Sequence, residues 1–390
     1  MNRVRGFLER FLAGIRGKHL KAPFKSRRQW IVFFAILLLL AGGLVLILKV
    51  ETSYFVQESY EKKDVTGTTY DRLGKKLFKY SPDGVSCLNA NGDVLWNSTF
   101  SMQSPIVDIC ESTAVVGDQQ GTDVYIYNED GVVGQFETLL PIKKVEVARQ
   151  GVVAAVLEDE DVTWIYLYDT SGGEIAKMRT SVKESGYPVD VDLSPDGLQI
   201  MVSFLFADKG SIETRVSFYN FDAVGQAAEN NLVNQITYQN EVVPSVFFVD
   251  NDRSAALGSD GFCVYKGKDV PEEKVRVSFE EEILSTFHEG NSLGLVFESD
   301  KDNYKYKLLV YNLNGRCTMK KYFNLPYRQV KMQEGNIILS NEKEFQVYSS
   351  RGRKRVDIVY EKAVEDVISV PGIGKYMVIS SDCTEMIRVR

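Results

Sequence analysis

The chain has 390 residues, 44% of them apolar, and a formal net charge of −7. That length accommodates two ordinary domains or one large all-β domain. The charge is split: nine Lys/Arg and one acid in residues 1–28 give +8, so the rest carries −15. An acidic bulk without a basic stripe excludes nucleic acid as the natural partner, and two histidines leave little room for His-based chemistry.

Val4, Phe7, Leu8, Phe11, Leu12 and Ile15 recur at helical spacing, with Arg3, Arg5, Arg10 and Arg16 mostly off that stripe. This pattern predicts an amphipathic helix on the inner leaflet, contacting lipid through Arg3, Arg5, Phe7 and Phe11. Residues 30–48, "WIVFFAILLLLAGGLVLIL", hold neither charge nor proline. As a helix these nineteen residues reach about 28 Å, enough for a bilayer's hydrocarbon core. The run is too long for the apolar part of a cleaved signal, and the basic region before it is long too. Trp30 and Leu48 bound this expected anchor, and the Lys/Arg excess before it places the N-terminus in the cytoplasm. The expected organisation is a basic tail over 1–28, a transmembrane helix over 29–50, a linker with a ring-closing strand over 51–73, and a folded domain over 74–390.

That domain repeats. Apolar-x-apolar-Tyr segments followed by turns, such as "DVYIYNEDG", "WIYLYDTSGG" and "KLLVYNLNG", anchor at Leu88, Tyr127, Tyr168, Tyr219, Tyr265, Tyr311, Tyr348 and a worn Val389. Successive anchors lie 39, 41, 51, 46, 46, 37 and 41 residues apart. Between Pro141 and Ile175 one unit reads as four short strands, "IKKVEVAR", "GVVAAVLE", "VTWIYLYD" and "EIAKMRT". Four strands per 40-odd residues predict an all-β propeller of four-stranded blades: eight, or seven if the worn copy merges with the first. The ring is expected to start partway through a blade, at "KKLFKYS", and to be closed by a strand from the N-terminal side.

The tetrapeptide Ser-Pro-Asp-Gly occurs at 81–84 and at 194–197. Pro presets φ at the second turn position and Gly takes the left-handed one, so both copies read as hairpin turns rather than as a ligand motif. The second copy resembles the first-to-second-strand hairpins of WD40-like and TolB-type propellers. Residues 85–96, "VSCLNANGDVLW", resemble a quinoprotein-type repeat through Gly92 and Trp96. The whole layout is similar to a family of Gram-positive bacterial proteins with a basic cytoplasmic tail, one span and an extracytoplasmic propeller of unknown function. The resemblance implies fold and location, and supplies no active-site residues.

Candidate chemistry is sparse. His288 is the histidine outside the tail, but no GxSxG elbow accompanies it. Glu158-Asp159-Glu160-Asp161 reads as a solvated hairpin tip, and Asp190 and Asp192, on one side of their strand, as a polar inner face rather than a cation site. Cys87, Cys110, Cys263, Cys317 and Cys383 read as buried thiols; a Cys87–Cys383 bridge across the ring's ends is the alternative. Arg351, Arg353, Lys354 and Arg355 form a basic knob suited to lipid headgroups, anionic wall polymers or an acidic partner. No catalytic residue, metal or cofactor is expected. The expected function is a membrane-anchored extracytoplasmic binding or scaffold module for envelope proteins or polymers. The alternatives are a carboxylate-dependent enzyme on a glycan or peptide in the central channel, and a sensor working through the tail.

Overall fold

The computed structural model describes Ile31, Phe33 and residues 49–390 except 62–66, 90, 160, 161, 182, 184 and 209. The chain divides into two units, residues 1–50 and 51–390. In the first, Ile31 and Phe33 are helical. The expected contacts Arg3, Arg5, Phe7 and Phe11, and the anchor ends Trp30 and Leu48, lie outside the described residues. Among the described residues no helix is long and apolar enough to cross a membrane.

The second unit is an eight-bladed β-propeller of four-stranded antiparallel sheets. Blades 1 to 7 span 69–99, 105–137, 142–181, 187–239, 245–278, 283–323 and 329–359, each a meander from inner to outer strand. Blade 8 takes its three inner strands from the C-terminus and its outer strand, Tyr54–Glu61, from the N-terminal side. Tyr54–Glu61 runs antiparallel to Cys383–Val389, with Tyr54 opposite Val389.

One boundary differs from the sequence reading. Blade 1 is complete, because Thr69–Leu73 is its inner strand. "TYDRL" carries Asp71 and Arg72 because one edge of an inner strand faces the water-filled channel, so its apolar alternation is weak.

All eight repeat anchors fall in third strands. In seven, Leu88 to Tyr348, the anchor sits where the pairing of third to fourth strand slips by one residue. Such a bulge sharpens the local twist, as a blade needs where it splays outward. Tyr127, Tyr265 and Tyr348 are fully buried there. Tyr127 shows what the anchor does: its ring stacks on Trp96 of blade 1 at 5.6 Å, and its hydroxyl donates to Ser98 Oγ at 3.2 Å. Burying one such ring contributes about 1.5–3 kcal/mol, plus about 1 kcal/mol for the aromatic pairing.

The two Ser-Pro-Asp-Gly copies occupy different turns. Residues 194–197 join the first and second strands of blade 4, whereas 81–84 join the second and third strands of blade 1. Alternating strand direction puts those turns at opposite ends of the blades. At 194–197, Gly197 N donates to Ser194 O at 2.7 Å and Asp196 Oδ1 accepts from Ser194 Oγ at 2.8 Å. Gly197 takes φ +70°, the left-handed position the turn requires.

Candidate functional site in the central channel

Eight inner strands ring the channel, and each has one edge unpaired within its sheet. The backbone N–H groups on that edge need acceptors. Side chains of the preceding blade supply them. Val147 N donates to Asp108 Oδ2 at 2.8 Å, Val246 N to Asp190 Oδ2 at 2.8 Å, Phe248 N to Asp192, and Ser369 N to Gln333 Oε1 at 2.9 Å. The acceptor residues are therefore stitches between blades, a role the sequence reading did not assign. The signal was weak: polar residues interrupt several inner strands, as in "PIVDIC", "YPVDVDL" and "QVKMQ", but at no fixed position.

Between blades 2, 3 and 4 these stitches converge. Asp108, Glu146 and Asp192 lie close enough to perturb one another, and Lys144 reaches into the group. Lys144 Nζ contacts Glu146 Oε1 at 2.8 Å, Asp190 Oδ1, and Val191 O at 2.8 Å. Burial, then the Asp108 charge, push the Glu146 carboxyl well above its ordinary range. The same two causes push Asp192 up to about 7. Burial opposes the Lys144 charge, but Glu146 and Asp190 outweigh it and hold the ammonium above its usual range. Burial raises Asp108 as well, so three crowded carboxyls share one ammonium and the group as a whole is biased toward holding protons. A cavity of about 580 Å³ opens onto it, lined by Tyr80, Asp108, Gln119, Lys144, Tyr187 and Asp190.

His288 stands on the inner strand of blade 6, its ring stacked on Phe247 at 3.5 Å and 5°. Burial lowers it to about 4, so it is neutral at neutral pH. Among the described residues no serine hydrogen-bonds to it. Across the channel, Lys331 pairs with Asp366 at 2.6 Å.

Elsewhere, Glu158 pairs with Lys143 at 3.2 Å, and Glu160 and Asp161 of that acidic run lie outside the described residues. Asp190 and Asp192 face blade 5 as backbone acceptors; among the described residues no three His, Cys, Asp or Glu gather as a metal site requires. All five cysteines are free thiols, so Cys87 and Cys383 are unbridged, and Cys317 is exposed rather than buried. Arg351, Arg353, Lys354 and Arg355 run from the third-to-fourth-strand turn of blade 7 into its outer strand, Lys354–Val359, remote in the fold from the channel cluster. Lys354 there pairs with Asp357 at 2.8 Å.

The ring aligns with solved propellers at low identity. It is similar to BamB from Moraxella catarrhalis (11% identity, TM-score 0.52, covering 86% of this chain and 100% of that one). It is similar to Sqt1 from Saccharomyces cerevisiae (12%, 0.54, 87% and 99%) and to a eukaryotic initiation factor (11%, 0.55, 87% and 89%). At such identity the likeness shows the fold alone. No curated protein sequence matches the chain. One family profile covers residues 47–389, almost the whole of the ring and its junction, and by that match the chain belongs to DUF5711, a family of unknown function.

Proposed function

We propose that this protein is a single-pass plasma-membrane protein with a cytoplasmic N-terminus. Its extracytoplasmic propeller binds other envelope proteins or wall polymers and catalyses nothing itself. The observation that carries this reading is the short junction before the ring. In the sequence, residues 49–53 alone separate the apolar run from the closing strand, and Glu51 and Ser53 are part of the ring unit: Glu51 N donates to Arg355 O at 2.8 Å, Asp357 N to Glu51 O at 2.9 Å and Arg390 N to Ser53 O at 2.8 Å. A ring on a short tether has a high effective concentration toward its membrane neighbours. Its turn-bearing face is rigid too. Gly74 N donates to Glu111 O at 2.8 Å, Arg149 N to Pro195 O at 3.0 Å, and Asp196 N to Asn251 Oδ1 at 3.0 Å, each linking one blade's turn to the next. Loops on a rigid scaffold are where binding residues collect.

The test is capture of the full chain from gently solubilised, crosslinked membranes, against the same chain lacking residues 51–390. Proteins or wall polymer retained only with the ring support the reading; nothing above the control refutes it. One observation favours a second reading. Glu146, raised well above its ordinary range, and Asp108 are two buried carboxyls beside a cavity, and paired carboxyls can divide acid and base roles in glycoside cleavage. Hydrolysis of wall glycans by the full chain, lost in Glu146→Gln, would replace the first reading with this one.

A further inference from the structure

We infer that the corner of the ring where blades 7 and 8 meet is a lipid-contact surface, which docks onto anionic headgroups and fixes the tilt of the propeller on the bilayer. The inference rests on the membrane-anchored reading above and adds to it a surface, a partner and an orientation.

Four observations converge there. The first is where the chain enters. Glu51 lies alongside Val356 in parallel, so the chain before it comes from the end of blade 7's outer strand that carries the 349–353 turn. Two residues, Lys49 and Val50, separate Glu51 from Leu48. Three Cα steps of about 3.8 Å span at most about 11 Å. The covalent chain therefore allows Glu51, which is bonded to Arg355, no more than about that length from the end of the apolar run.

The second is charge. Arg351 and Arg355 of blade 7 are exposed, as are Arg388 and Arg390 of blade 8, on a domain that is acidic overall. Lys375 pairs in register with Arg388, and the Arg390 guanidinium lies over the Phe55 ring at 5.7 Å. The nearby acids are mostly engaged. Asp357 is paired with Lys354, Glu334 of the neighbouring blade 7 turn is paired with Arg72, Glu51 belongs to the junction itself, and Glu361 stands beyond the far end of the strand.

The third is an exposed apolar tip. Ile373, between Gly372 and Gly374, is 91% exposed, the most of any large apolar side chain among the described residues. Its turn abuts the same corner, since Val389 N donates to Gly374 O at 2.9 Å and Ser53 N to Arg390 O at 3.4 Å. A bare isoleucine at a corner that carries exposed arginines suits a headgroup layer, where apolar tips insert and guanidinium groups meet phosphates.

The fourth is shared direction. The 349–353 turn joins third and fourth strands and the 370–374 turn joins first and second, so both point from the same end of the blades. The source of anionic groups nearest this end is the bilayer that the chain leaves at Leu48. Each basic side chain brought to an anionic surface strengthens attraction roughly fivefold.

The test uses the full chain in vesicles of phosphatidylcholine with or without phosphatidylglycerol, in a Cys317→Ser background. A fluorophore is placed at Ile373→Cys or, at the opposite end of the blades, at Leu139→Cys, which is 83% exposed in the wild type. Quenching by nitroxide lipids should be stronger at 373 than at 139 in phosphatidylglycerol vesicles. It should fall by more than half when Arg351, Arg355 and Arg390 are all changed to Glu, and should weaken with added salt. Equal quenching at both positions overturns the inference, as does quenching at 373 that ignores both lipid charge and the reversals. Alkaline washing separates the two readings. A chain stripped from the vesicles refutes the anchor and the corner together. A retained chain with an unquenched label at 373 refutes the corner alone.

Discussion

Asp192 makes the channel sensitive to pH in a direction that can be worked out. Its carboxyl rises from an ordinary 3.8 to about 7, first through burial and then through the charge of Asp108. Between those values the unfolded chain has lost the Asp192 proton and the folded chain keeps it. Stability then falls as pH rises, because the folded state binds more protons. At about 1.36 kcal/mol per pH unit the fall amounts to at most about 4 kcal/mol, complete near pH 7. His288 works the other way. Its folded value is lowered to about 4, so the unfolded chain holds the extra proton below about pH 6.5 and stability falls as pH drops. The two opposed titrations make the wild-type profile shallower than either alone. Asp192→Asn keeps an amide oxygen for the Phe248 N–H and removes the titration. Urea unfolding of the full chain in detergent, followed by tryptophan fluorescence between about pH 4 and about pH 8, should show this loss reduced in the variant, the part that remains belonging to Asp108 and Glu146, which burial also raises. His288→Phe should steepen it. An Asp192→Asn profile parallel to wild type would refute the assignment of a buried, proton-holding cluster.

Three further outcomes follow from local geometry. Glu385 is 6% exposed and accepts from Ser59 Oγ at 3.1 Å, from the Tyr360 hydroxyl and from Lys362. Burial works against its charge, but these donors outweigh it and lower its pKa, so its contribution is present above its unfolded value near 4.5 and is lost as pH falls through the folded one. Glu385→Gln should cost about 2–4 kcal/mol in neutral denaturation and nearly nothing in acid. Maleimide with the native chain should add one label rapidly, at exposed Cys317. Cys110, whose thiol burial pushes up to about 12, and the buried Cys87, Cys263 and Cys383 should react only after unfolding, as mass spectra of the two states would show. A methyl group on Gly134, in the outer strand of blade 2, would lie 2.0 Å from Thr170 O of blade 3. Gly134→Ala should therefore cost about 3 kcal/mol, against about 1 for Gly290→Ala, where φ is +49° and the space is open.

The repeat was legible because each blade must bury the same face. An anchor such as Tyr127 or Tyr265 sits at a bulge in a third strand, and that position selects a large ring in almost every copy. Inner strands were harder to read. "TYDRL" and "IKKVEV" mix charge with apolar residues, since one edge meets water and neighbouring carboxylates while the faces pack on other blades. The paired Asp190 and Asp192 were recognised as a polar inner face. Their partners, Val246 N and Phe248 N, are backbone groups more than fifty residues away, and no side-chain pattern marks a backbone donor. Glu146 and Asp108 are equally unmarked: each is a single acid in its inner strand, and only the packing of blade 3 against blade 2 brings the two together.

Closure itself carries the last prediction. A chain beginning at Thr69 lacks the outer strand of blade 8 and bares the edge of Cys383–Val389. It loses seven register pairs, the Tyr54–Tyr360 stack at 4.9 Å, and the bond from the Tyr60 hydroxyl to Asn91 O at 2.9 Å. Outer strands meet the next blade's turn in a similar way elsewhere in the ring, as Gly134 meets Thr170 and Met319 meets Gly352, so loss of the Tyr60 contact unseals the ring on a second side. At about 1 kcal/mol net per backbone hydrogen bond the loss reaches several kcal/mol, a large part of the 5–15 kcal/mol by which domains are stable. A bare edge also invites pairing between copies. Gel filtration should show a chain starting at Glu51 as one sharp species and a chain starting at Thr69 as aggregate, rescued by a peptide of residues 54–61. Equal stability of the two would refute the latch. The closing strand is made first and used last: Tyr54 meets Val389, so the ring cannot seal until nearly all of the chain exists. A pairing of such sequence separation closes slowly. Until then the waiting strand is held close to the apolar run, through which we propose the chain is anchored, and that tether keeps it within reach of the blade it must complete.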